Sequence, residues 1–96
     1  MSNFASLTEI KEKDQRWPSN TKKYELAQIL INSNLVAMLR DAKNFKKEIK
    51  TFKGWPTGLD ERIFITEICF NNEKAHNIYV IGDIENIAKK LGGYSG

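Results

Sequence analysis

Cysteine and histidine each occur once in this chain, at Cys69 and His76, and proline twice, at Pro18 and Pro56. A single thiol excludes an intramolecular disulfide framework and fits a reducing compartment, so a cytoplasmic location is expected. One cysteine and one histidine also fall short of the four ligands a structural zinc site takes, and neither metal nor cofactor is expected. A nucleophilic Cys69–His76 pair is conceivable, but Cys69 sits in an apolar run where an inert, buried thiol is the ordinary outcome. Long hydrophobic runs are missing too. The stretches from Leu26 to Leu39 and from Ile63 to Phe70 are interrupted by polar residues and are too short to span a bilayer, so no membrane partner is expected. Met1-Ser-Asn-Phe has no basic end leading into an apolar run, which speaks against a secretory signal. Gly54 and Gly58 lack the Lys-Ser/Thr or helix start of a phosphate-cradling loop. The acidic pairs Asp60-Glu61 and Asp83/Glu85 stand at element ends, where solvation and helix capping account for them. These gaps together point away from an enzyme.

The 96 residues suffice for one domain with one modest core. Apolar residues make up 41% and charged residues 28%, as in an ordinary globular protein. Lysine far outnumbers arginine, and asparagine and isoleucine are frequent, a usage resembling that of AT-rich genomes, phages among them. Net charge is only +3, but it is unevenly spread: residues 40–59 hold six cations and two anions, whereas residues 60–96 hold four and six. The positive excess is therefore local. On an α-helix, Arg40, Lys43, Lys46, Lys47, Lys50 and Lys53 share one arc of about 140°, with Ala42, Phe45, Ile49 and Phe52 opposite. Trp55 follows directly in a loop.

Ser6-Leu7-Thr8-Glu9 has the form of a capping box and predicts a short helix from Leu7, ended by Trp17-Pro18. From Tyr24 the apolar residues Ile31, Leu35, Met38, Ala42, Phe45, Ile49 and Phe52 recur with 4,3 spacing, which predicts helix over residues 22–52. Asn32-Ser33-Asn34 is a poor helical triplet, so this region reads as one long helix or as two meeting at a turn. Arg62–Phe70 and Asn77–Ile81 are rich in β-branched and aromatic residues and predict an antiparallel hairpin. Asp83 caps a final helix carrying Ile84, Ile87, Ala88 and Leu91 on one face, with Gly92-Gly93 as its stop. The expected fold class is thus α+β, with a helical N-terminal half, a hairpin and a C-terminal helix. If the Asn-Ser-Asn break is real, this order resembles a winged-helix domain.

That resemblance would make the basic helix the one facing the groove and put Lys74 and His76 at the wing tip. Lysines along one helix side follow a phosphate backbone well but read little sequence. The leading expectation is a small non-enzymatic module binding nucleic acid through Arg40, Lys43, Lys46, Lys47, Lys50 and Lys53, with Trp55 and Lys74 adding contacts. The alternative is an inhibitor or adaptor of phage or mobile-element type, presenting the same face to an acidic protein. The 4,3 seam would also serve a homodimer. Trp17 and Trp55, each followed by proline, either stack on a partner or pin loops to the core.

Overall fold

In the computed structural model, residues 4–12, 23–51, 54–56 and 58–92 are described. Among these residues five strands and two short α-helices follow one another: β1 (Phe4–Glu12), β2 (Tyr24–Asn32), β3 (Val36–Asp41), α1 (Lys43–Thr51), β4 (Ile65–Phe70), β5 (Ile78–Ile81) and α2 (Ile84–Lys90). The strands form one antiparallel sheet in the order β2-β1-β5-β4-β3.

The helical N-terminal half, and with it the winged-helix order, is overturned. Ser6-Leu7-Thr8-Glu9 lies inside β1, where Ala5 and Leu7 are buried on one face while Ser6 points to the other. A strand buries alternate residues, and that alternation decides over a four-residue cap pattern. The 22–52 stripe resolves into β2, a 3-10 turn at Ser33–Leu35, β3, and only then a helix. Its members scatter accordingly: Ile31 is buried, whereas Leu35 and Met38 are exposed. Nine successive pairings between β1 and β2 satisfy the backbone of a segment whose side chains suited either period. The Asn-Ser-Asn break is genuine but joins two strands, with the Asn32 side chain accepting from the Asn34 amide at 3.0 Å. Trp17-Pro18 and Phe52 lie outside the described residues.

The C-terminal half follows its local signals. Ile65 to Ile68 pair with Ile81 to Ile78 as the expected hairpin. Asp83 caps α2, its carboxylate accepting from the Asn86 amide at 2.8 Å, and Lys89 and Lys90 sit in the last turn. Gly82 precedes the cap at φ +132°, and a Cβ there would lie 2.9 Å from Ile87 Cδ1, so both backbone and space call for glycine.

Each face of the sheet carries its own core. Leu7, Ile31, Ile68 and Val80 pack with Ile87 of α2, whereas Ile10 and Ile65 pack with Ala42 and with Ile49 of α1. Leu7 and Ile10, like Ile65 and Ile68, are three apart on one strand and so point to opposite faces. The helices therefore cover opposite sides. On the α2 side, Ile29 from one edge strand and Val36 and Leu39 from the other join a single cluster. A flat sheet would hold β2 and β3 about 19 Å apart. The backbone from Asn32 to Val36 reaches at most about 14 Å. The sheet must coil around the α2 core to bring these edges together. Thr66 is fully buried in that core, and its hydroxyl donates to the Gly82 carbonyl at 2.8 Å, so no polar atom is stranded there.

Candidate polyanion-binding face

Helix α1 begins where β3 ends. Ala42 donates its amide to the Ile65 carbonyl, holding the chain to β4, and accepts from the Lys46 amide to open the first turn. The segment KNFKKEIKT then has an apolar side at Phe45 and Ile49, one turn apart, and a cationic side at Lys43, Lys47 and Lys50. Ile49 is buried at 1% exposure among Ile10, Ala42 and Ile65. Phe45 is held by two tyrosines. Its ring stacks on Tyr79 with centroids 3.6 Å apart and meets Tyr24 edge-on at 5.5 Å. Phe45 does not pack with the β4-side residues Phe64 and Ile68: Phe64 is exposed, and Ile68 belongs to the opposite face.

The outward side of α1 forms an open depression of about 510 Å³ lined by Lys43, Lys46, Lys47, Lys50 and Thr51. No carboxylate of the described residues lines it. Its rim is partly neutralised, however, because Lys43 lies 3.9 Å from Asp41 and Lys50 lies 3.6 Å from Glu61. Lys46 is more tightly committed, donating to the Ile63 carbonyl at 2.6 Å and so tying the helix to the segment entering β4. Exposed ion pairs of this length contribute at most about 1 kcal/mol and exchange readily for another anion. Lys43, Lys47 and Lys50 can therefore turn to an incoming partner, whereas Lys46 serves the fold.

The remaining sequence-predicted residues are placed differently. Arg40 lies on β3, opposite Glu67 on β4, and its Nε contacts Met38 Sδ at 3.2 Å. It flanks the helix and is not part of it. Trp55 is half-buried against the α1-side core, and its indole N–H donates to the Leu59 carbonyl at 2.7 Å, so the ring pins its own loop. Lys74 is exposed in the turn between β4 and β5. Since α1 adjoins β4 at Ile65, the length of β4 places Lys74 about 17 Å along the sheet, away from the helix lysines. His76 shares that exposed turn, while Cys69 is half-buried on β4. Lys53 lies outside the described residues. Among those described, no cluster of three or more metal-ligating side chains occurs. No described helix is long and apolar enough to cross a membrane.

The tyrosines beneath α1 carry a pH dependence. Burial pushes the Tyr24 hydroxyl above the ordinary tyrosine value, with Glu12 and Glu48 adding to the effect. Tyr79 is raised by burial first and then by the Glu67 carboxylate. A folded-state value above the unfolded one means that the unfolded chain releases these protons at lower pH than the folded protein does. Their contribution is thus complete below the ordinary tyrosine range and is lost as pH rises through the folded-state values. Denaturant midpoints should fall on the alkaline side of that range, with the loss reduced in Tyr79→Phe; a flat profile there would show that the hydroxyls are solvated.

The sequence missed one surface altogether. Phe4, Leu26 and Leu30 share the α1 side of β1 and β2 beyond the reach of the helix, and are 58%, 42% and 70% exposed. Only the period-two alternation from Leu26 to Leu30 could have signalled it. Compared with protein-family models, curated proteins and solved structures, the chain matches none.

Proposed function

We propose that this protein is a non-catalytic binding module that engages nucleic acid through the lysine side of α1. The observation carrying this reading is the convergence of Lys43, Lys46, Lys47 and Lys50 on one open depression that no carboxylate of the described residues lines. Lysine ammonium groups on a short helix make point-charge contacts to phosphates, giving affinity and register with little base readout. Helix α1 has nine residues, about 13 Å. That is enough for a few phosphates.

A second reading, in which the same lysines receive carboxylates of an acidic protein, draws on the contacts already made with Asp41 and Glu61. Salt titration separates the two. Neutralising phosphates on a duplex releases condensed counterions, giving a log–log slope of about −0.9 per contact. For three to four lysines we expect generic duplex DNA or RNA to bind with a slope of about −2.7 to −3.6. The triple variant K43E/K47E/K50E should keep its fold, since none of the three packs in the core, and should lose at least about tenfold in affinity at low salt with a flatter slope. Unchanged affinity in that folded variant would reduce the lysine face to a solubility feature. Failure of the wild type to bind either nucleic acid, with capture of an acidic protein insensitive to nuclease, would favour the second reading.

A further inference from the structure

Strand β2 forms one edge of the sheet, and its nine residues run beside β1 without a bulge. Natural edges are usually shortened, bulged or charged, which keeps them from pairing with other chains. The opposite edge, β3, shows all three devices: six residues, a register shift between Val36 and Met38, and the charges of Arg40 and Asp41. β2 has a single charged residue, Glu25, which faces Lys11 at 3.8 Å. One edge is protected; the other, among the described residues, is open from Leu26 to Leu30, with Gly54 closing it at Tyr24.

Backbone geometry shows which groups that open edge offers. Tyr24 sends its amide away from β1, to the Gly54 carbonyl at 3.2 Å. Residues of an antiparallel strand alternate in direction. The N–H and C=O groups of Leu26, Gln28 and Leu30 therefore also point outward, whereas Ala27 and Ile29 bond to β1. The side chains of the outward set lie on the α1 side, where Leu26 and Leu30 are exposed beside Phe4.

We propose that β2 pairs antiparallel with β2 of a second copy of this chain, about a two-fold axis through Gln28, the ladder running from Leu26 to Leu30 and ending where Gly54 holds Tyr24, to form a ten-stranded sheet. The occupant follows from self-complementarity. About that axis Leu26 lies opposite Leu30 of the second copy, Gln28 lies opposite Gln28, and Ala27 lies opposite Ile29. Glu25 meets Ile31, so no like charges face each other across the ladder. The outward groups of three residues per strand give six backbone hydrogen bonds. Two Leu26–Leu30 pairs, flanked by Phe4 of each copy, lose their exposure on one face. This association uses neither the 4,3 seam, which the fold does not contain, nor the α1 lysines, and so stands apart from the nucleic-acid reading.

Sedimentation equilibrium of the full chain over a rising concentration series tests the proposal, with a dimer at twice the 11.0 kDa monomer mass expected. The register makes a sharper demand. L26K/L30K places cations opposite each other in both pairs and should be monomeric, whereas L26K/L30E places opposite charges together in both pairs and should dimerise. Hydrogen exchange on the wild type needs no variant: raising concentration should slow the amides of Leu26, Gln28 and Leu30 selectively, leaving Ala27 and Ile29 unchanged. A wild type that stays monomeric, or exchange that ignores concentration, overturns the proposal. Equal dimerisation of both folded variants would place the interface elsewhere, and loss of dimer in both would refute the axis through Gln28.

Discussion

Replacing Ile68 with alanine should lower the unfolding free energy by about 3 to 5 kcal/mol, toward the top of the range for large-to-small changes in a core. Ile68 is fully buried and belongs to the cluster that joins α2 to the sheet. Its strand is hydrogen-bonded on both sides, to Leu39 of β3 and Ile78 of β5, so surrounding backbone cannot collapse easily into the space left. Total stability of a domain this size is about 5 to 15 kcal/mol, so one such change removes a large share of it. Urea denaturation gives the number. Ile84→Ala is the control, since Ile84 is 40% exposed and should cost well under half as much. A loss below about 1 kcal/mol at Ile68 would mean that the α2 side is not the principal core.

The part of this core that the sequence announced is the part built from neighbours. β4, β5 and α2 lie within one stretch of chain, and Asp83, Gly82 and the alternating isoleucines act on residues beside them. The N-terminal half depends on partners far away. Leu26-Ala27-Gln28-Ile29-Leu30-Ile31 satisfies a helical stripe and a strand alternation alike, and pairing with β1 across an intervening connection chooses between them. The same holds for Ser6 to Glu9, where a cap pattern coincides with a strand that buries Ala5 and Leu7. Lys43 to Lys50 were legible because they do form a helix; Arg40 was not, because the helix begins three residues later. Strand order, which leaves β2 at an edge, is written in no local segment.

The two surfaces, if both act, reinforce each other. A two-fold through Gln28 keeps the α1 sides of both copies on the same face of the joined sheet, so the two lysine depressions would look in one direction. Linking two weak phosphate sites in this way raises apparent affinity without any new contact, provided one polyanion reaches both. Disrupting β2 pairing with L26K/L30K would then weaken binding to a long duplex more than to a short one, whereas K43E/K47E/K50E would weaken both.

Removing the ring of Phe45 should detach α1 from its seat, at about 3 kcal/mol for Phe45→Ala. This is the low end of the range for phenylalanine because the ring is only half-buried. The loss divides between apolar area and the contacts with Tyr24 and Tyr79. Stacked rings 3.6 Å apart with an interplanar angle of 1° have almost no lateral offset, an arrangement in which the ring quadrupoles oppose each other. The coupling between Phe45 and Tyr79 in a double-mutant cycle with Tyr79→Leu should therefore fall near about 0.5 kcal/mol, the lower limit for aromatic pairs, and the edge-on pair with Tyr24 should exceed it. Because the helix carries the lysines, folded Phe45→Ala should also bind nucleic acid more weakly, while Ile68→Ala, compared where it is still folded, should bind as the wild type does. Equal affinities for the two variants would show that the lysines do not need α1 held against the sheet, and the site would then have to be sought in charge alone.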